Sequence, residues 1–92
     1  MKAYISAENQ FTDEVAIKGP GAVVIYNTSS MSMTISLQVK IDGGWVDTGD
    51  TWVAEGVSNI VDGCGLTYRL GCKTGDFSSG TATILLAEGV EP

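Results

Sequence analysis

Hydrophobic and polar residues alternate most strictly from Met33 to Ile41. Met33, Ile35, Leu37, Val39 and Ile41 fall on one face, and Thr34, Ser36, Gln38 and Lys40 on the other. A period of two is the geometry of a pleated strand, and one apolar side predicts a half-buried antiparallel one. The same period places Leu66, Tyr68, Leu70 and Cys72 opposite Thr67, Arg69, Gly71 and Lys73. From Thr81 to Ala87 it turns Ala82, Ile84 and Leu86 inward and leaves Leu85 outward, free to meet a partner chain. Ala22 to Asn27 is a nearly continuous apolar run, the pattern of a strand covered on both faces. Shorter strands are predicted at Tyr4–Ala7, Val15–Lys18, Trp45–Thr48, Thr51–Ala54 and Val57–Val61. Turn formers separate them: Gly19-Pro20-Gly21, Asp42-Gly43-Gly44, Gly49-Asp50, Glu55-Gly56, Asp62-Gly63 and Ser79-Gly80. No segment carries a 3.6-residue period; Ala7 to Ile17 comes nearest, weakened by β-branched Thr12, Val15 and Ile17. The expected fold is all-β, an antiparallel β-sandwich (Ig-like or jelly-roll-like) of seven to nine short strands, with strand order open between these and a small barrel.

Length and composition narrow this picture. Ninety-two residues predict one domain, 1–92, with residues 88–92 as a short tail. The chain holds 16 Val plus Ile against 5 Leu, and 29 Gly, Ser and Thr, a mix that suits strands and tight turns. Net charge is −6, and the five cations Lys2, Lys18, Lys40, Arg69 and Lys73 are dispersed. Phosphate backbones and anionic membranes need clustered cations, so neither nucleic acid nor a membrane surface is an expected partner. Met1 to Phe11 has no apolar stretch of signal-peptide type, so the expected site of synthesis is a cytoplasm.

Candidate chemistry is sparse. The chain has no His, which removes His-based triads and general bases. Asp13 and Glu14 are adjacent, and Asp42, Asp47 and Asp50 cluster round one hairpin. Paired carboxylates serve glycosidases, and grouped oxygens serve calcium. Loop Asp is also an ordinary turn former, and neither the EF-hand spacing nor an Asp-x-Asp-x-Asp run is present. Asp42-Gly43-Gly44-Trp45 resembles part of an Asp box, with Lys40 at the Ser position and Trp two residues early, so Trp45 is expected to pack on its hairpin. Trp45, Trp52, Tyr26 and Tyr68 could stack on sugar if exposed, but a small sandwich needs such groups in its core. Ser29, Ser30, Ser78 and Ser79 lie in predicted loops without a His partner. Cys64 and Cys72 do not form a CxxC pair and are expected as reduced, mostly buried thiols, although spacing alone leaves a bridge open. No catalytic residue, cofactor or metal site is expected.

The order of motifs has a wider likeness. A strand ends in Asp42-Gly43-Gly44-Trp45-Val46-Asp47, followed by Thr51-Trp52-Val53-Ala54-Glu55-Gly56 and Gly65-Leu66-Thr67-Tyr68-Arg69-Leu70-Gly71. Lys73-Thr74-Gly75-Asp76-Phe77-Ser78-Ser79-Gly80-Thr81-Ala82-Thr83 closes the series, and Phe11-Thr12-Asp13 precedes it. From Phe11 to Leu86 this resembles small β-sandwich virion structural proteins of tailed bacteriophages, of the capsid-decoration or head- or tail-associated type. The departure is Asn27-Thr28-Ser29-Ser30, longer than the corresponding turn of that family. The resemblance implies a non-enzymatic virion component, most simply a capsid decoration (cement) protein bound to the major capsid protein. A tail, neck or fibre-attachment component is the alternative. A glycan-binding adhesion module is a third reading. A homo-oligomer, a weakly held trimer, is expected, with Met31, Met33, Trp52, Phe77 and Leu85 as candidate interface residues.

Overall fold

The computed structural model describes residues 1–60 and 62–88. Among them the chain forms seven strands: β1 (Lys2–Ile5), β2 (Gln10–Phe11), β3 (Val15–Ile17), β4 (Gly21–Ile41), β5 (Gly44–Trp52), β6 (Gly56–Ile60) and β7 (Leu66–Glu88). All pairings are antiparallel within one sheet of order β1-β7-β4-β5, with β2 and β3 also on β7 and β6 also on β4.

Two long strands organise everything else. β4 runs 21 residues and β7 runs 23, paired from Gly21↔Glu88 to Val39↔Tyr68. The ribbon they make belongs to two layers. In the first layer β1 lies on the C-terminal half of β7, and the N-terminal half of β4 lies between β7 and β6. In the second layer β2 and β3 lie on the N-terminal half of β7, and the C-terminal half of β4 lies between β7 and β5. The ribbon folds over between them. Register shifts recur at Tyr26/Ser29, Ser29/Ser32, Ser32/Met33 and Met33/Ile35. Left-handed backbone sits in both strands there, at Asn27, Ser30, Gly75 and Gly80. Such bulges sharpen twist and bend a strand without ending it. Gly80 is required at its place, because a Cβ would lie 2.2 Å from the Ser30 carbonyl oxygen.

The folding-over buries two apolar faces against each other. Ile5, Val23, Ile25, Ala82, Ile84 and Leu86 come from the first layer; Ile17, Met33, Ile35, Leu37, Tyr68, Leu70 and Cys72 come from the second, and all join one core cluster. The molecule measures 35 × 31 × 19 Å, and the short dimension suits two sheets about 10 Å apart with their outer side chains. Tyr68 Oη donates to the Gly63 carbonyl at 3.0 Å, so its hydroxyl is satisfied within the core.

Nine predicted strands thus become seven, and most are not separate. Ala22–Asn27 and Met33–Ile41 are one strand, as are Trp45–Thr48 with Thr51–Ala54, and Leu66–Lys73 with Thr81–Ala87. The Gly and Ser residues between them read as turns in sequence; in three dimensions they are bulges within continuous ladders. Two-residue β2 escaped the pattern, being too short to show a period. The N-terminal strand stops at Ile5, because the Ser6 and Ala7 amides donate instead to Gln10 Oε1. Val61 and the tail beyond Glu88 lie outside the described residues, whereas Glu88 itself ends β7.

Candidate interaction surfaces

The two outer faces of the folded sheet are chemically unlike. On the second layer, cross-strand pairing aligns Arg69, Gln38 and Asp47 in one row. Arg69 Nε donates to Gln38 Oε1 at 2.8 Å, Gln38 Nε2 donates to Asp47 Oδ1 at 2.9 Å, and Lys73 Nζ meets Asp47 Oδ2 at 2.7 Å. The guanidinium lies 3.8 Å from the Phe11 ring centroid and 4.5 Å from that of Trp45, a cation held between two aromatic faces. Lys40 adds a 3.6 Å ion pair with Glu14 and stands 5.9 Å over Trp45. Gly71 makes room for Phe11, since a Cβ there would lie 2.5 Å from the ring and 2.2 Å from the Gln10 carbonyl.

Charge on this face is internally matched. The hydrogen bond from Lys73, then that from Gln38, holds the Asp47 carboxyl below its usual range, and the same carboxylate raises Lys73. Desolvation lowers Arg69, opposed by nearby Glu14. This lattice laces β2, β7, β4 and β5 together. It also explains why Ser36 and Gln38, predicted on the polar side of their strand, are buried: the Arg69 row and the Phe11 ring roof that side. Ser36 Oγ is left without a hydrogen-bond partner among the described residues.

The first layer presents the opposite kind of face. Lys2, Leu85, Val24 and Val57 form one cross-strand row, with Tyr4, Thr83 and Tyr26 in the next. Tyr4 is 60% and Val57 71% exposed, while Val24, Tyr26 and Leu85 are half-buried. Lys2 is the one ionisable ammonium or carboxylate in these rows. The apolar run Ala22–Asn27 predicted cover on both faces. The structure corrects this: Val23 and Ile25 are core, but no described element covers Val24 and Tyr26.

The predicted interface residues separate on this frame. Leu85 lies on the apolar outer face, as its alternation with Ile84 and Leu86 implies. Met33 is only 5% exposed and belongs to the core, so it has almost no area to offer a partner. Met31 and Phe77 are half-buried against that core near the ribbon bend. Trp52 pairs with inward-facing Ile35, packs on the core and donates Nε1–H to Ser58 Oγ of β6 at 2.8 Å. It therefore plugs the open side between β5 and β6 and does not project as an interface. Tyr4, Val24 and Val57 were the surface residues that sequence reasoning missed; two sit in strands too short to show which side faces out.

The remaining candidates are placed by local geometry. Asp42 occupies the left-handed position of the β4–β5 turn (φ 51°), Asp47 belongs to the Arg69 lattice, and the Asp50 amide donates to Thr48 Oγ1. Among the described residues no three potential metal ligands gather. Trp45 has Arg69 over its ring, as expected of a Trp packed on its hairpin. Both cysteines are free; Cys72 is buried, but Cys64 is exposed in the Gly63–Gly65 turn, against the expectation of burial for both. The turn exposes it: the Cys64 amide donates to Asp62 Oδ1, and its φ of 56° directs the backbone around the corner. Comparison with protein-family models, with curated proteins and with solved structures finds no match.

Proposed function

We propose that this chain is a structural component of a tailed-phage virion, most simply a capsid decoration protein that binds the outer shell non-covalently. The observation that carries the reading is the uncovered apolar face built by β1, β7, β4 and β6. An antiparallel sheet with one solvated side normally keeps that side polar. Here the far side of the molecule follows the rule and this side does not, which favours contact with another protein. The motif likeness from Phe11 to Leu86 supplies the virion context.

The size of the face bears on the mechanism. Four strands about 4.8 Å apart and about five residues long at 3.3 Å give a plan area of roughly 300 Å². That is well below the ~800 Å² per partner of a stable standard interface. One copy alone would hold weakly. Many copies on a symmetric shell, each bridging neighbouring subunits as a trimer, would hold through multivalency and oppose the outward pressure of packaged DNA. The polar lattice round Arg69 matches its own charges, which fits a brace better than a reaction centre. Sugar binding is less well supported, because Trp45 carries Arg69 on its ring and Trp52 turns inward.

The test is quantitative mass spectrometry of purified virions, reading copy number against the major capsid protein. A ratio near one, or near one-third, supports shell decoration. A few per cent moves the protein to the tail or neck. Absence from particles overturns the virion reading. A Tyr4→Lys, Val57→Lys double variant should fold normally yet fail to enter particles, since both side chains are exposed.

A further inference from the structure

The first layer ends at two free edges. Among the described residues no strand lies beyond β1 on one side or beyond β6 on the other. An open edge offers unpaired backbone groups, and folded chains commonly block it with charge, a bulge or brevity. The edges of the second layer are blocked in these ways. β5 carries Asp47 and Asp50, a register shift opposite Ser36 and Gln38, and left-handed Gly49. β2 and β3 are two and three residues long, with Asp13 and Glu14 between them. The edges of the first layer are open by comparison. Both the β1–β7 and the β4–β6 ladder run in unbroken register. β6 has no charged residue, and β1 has one, Lys2. Among described strand residues, Val57 on β6 and Tyr4 on β1 are the most exposed large apolar side chains. Each is exposed because no further strand flanks it.

We infer that copies of this chain join through these edges, β6 of one against β1 of the next. The four strands alternate in direction, so β1 runs antiparallel to β6, and the next copy's β1 continues the sheet in the same sense. Setting Tyr4 against Val57 pairs Lys2 with Asn59, Ala3 with Ser58 and Ile5 with Gly56, so outer residues meet outer and inner meet inner. Backbone bonds hold such an added strand, and the two exposed side chains cover each other. The apolar outer face then runs on from copy to copy. Charge selects this pairing over the two symmetric ones. Each copy carries −6, so a contact is favoured only where it brings opposite signs together. Glu55 and Asp62 flank β6, while Lys2 opens β1 without an ion-pair partner among the described residues. β6 against β6 doubles the carboxylates at the contact, and β1 against β1 doubles the ammonium groups. β6 against β1 joins unlike ends. A head-to-tail contact can close into a ring. The pairing rests on the reading above for the number of copies in that ring, three, and for nothing else.

The experiment uses the purified full chain without capsid, in a Cys64→Ser background that leaves buried Cys72 as its remaining thiol. Tyr4→Cys and Val57→Cys chains are oxidised separately and as a mixture, and cross-links are mapped by mass spectrometry. The mixture should link position 4 to position 57 several times more than either variant links to itself. Thr51→Cys, exposed on β5, replaces Val57→Cys as the control and should give background linkage. In sedimentation velocity the parent chain should associate with rising concentration towards a trimer. Val57→Lys should weaken that association about tenfold, and Lys2→Glu about threefold. Both side chains are exposed, so the urea midpoints of the dilute variants should match the parent. An excess of 57-to-57 or 4-to-4 links, linkage no greater than the control, a monomer at every concentration, or indifference to Lys2→Glu overturns the inference. Absence of the protein from virions would overturn the virion reading and leave this pairing intact. A monomer in solution would overturn the pairing and leave a shell-bound single copy.

Discussion

Gly71→Ala tests how the Arg69 lattice holds the edge of the second layer. The added methyl would stand 2.2 Å from the Gln10 carbonyl oxygen and 2.6 Å from Phe11 Cα. Both are backbone atoms, so rotating a side chain cannot relieve the contact; β2 must move away. Two backbone bonds flank the site, Asn9 N–H to the Cys72 carbonyl and Thr12 N–H to the Leu70 carbonyl, each 2.8 Å. Losing them costs about 1 kcal/mol apiece. Displacing Phe11 removes one aromatic face from Arg69, about 1 kcal/mol more. Uncovering the half-buried ring adds a similar amount, on the order of 1 kcal/mol. Alanine is worth about 0.5–1 kcal/mol over glycine in a strand, which offsets part of this. The net expectation is a loss of about 3 kcal/mol, or roughly 12–24 °C in Tm for a domain of this size. Gly56→Ala is the matched control. Gly56 is also in a strand, lacks a left-handed φ and has nothing within 4 Å of its added Cβ. It should be neutral or slightly stabilising, within about 1 kcal/mol. Urea unfolding followed by tryptophan fluorescence reads both, with Trp45 also reporting on its contact with Arg69. If the two variants agree within about 0.5 kcal/mol, β2 is not held as described.

Three further outcomes are expected. Ser36→Ala should be neutral or stabilising by up to about 1 kcal/mol in the same assay, because it removes a buried hydroxyl without a partner; a loss above about 1 kcal/mol would show that Ser36 Oγ has one. Under native conditions a thiol reagent should modify Cys64 and spare Cys72, whose thiol is buried and raised by that burial; peptide mapping that finds Cys72 labelled in folded protein would contradict the packing. Asp47 is held below its unfolded carboxyl pKa, so its contribution is complete above the unfolded value and fades as pH falls through the folded one. The urea midpoints of wild type and Asp47→Asn should therefore differ near neutrality and converge as pH falls below the ordinary carboxyl range; a gap independent of pH would rule out the Lys73 and Gln38 bonds as its cause.

Much of the strand content was legible in the sequence. The alternation through Ile35, Leu37, Leu70, Cys72, Ala82, Ile84 and Leu86 named core positions correctly, because a strand puts every second side chain on one side whatever its neighbours do. The same rule turned Leu85 outward. It could not say where strands end. Ser29, Ser30, Gly75 and Gly80 read as turn residues, and their left-handed backbone is real at Ser30, Gly75 and Gly80, yet the ladder continues past them. Whether such a residue ends a strand or bends it depends on the partner strand, which a local pattern does not contain.

The surfaces divide in the same way. That the chain is acidic, lacks His and scatters its cations is a property of the sequence alone; it leaves no His-based triad or general base and no clustered cations for a phosphate backbone. Which residues meet was decided only by folding. Gln38 and Asp47 face each other across one hairpin, but Arg69 comes from far along the chain and joins their row only because β7 pairs with β4 in register. Met33 and Trp52 looked alike as surface candidates, but the register points both towards the core. Tyr4, Leu85, Val24 and Val57 come from four strands and become one apolar face when β1, β7, β4 and β6 align. Alternation along a strand is set by covalent geometry and is therefore written locally. Adjacency across strands is set by long-range pairing, which the tertiary structure decides.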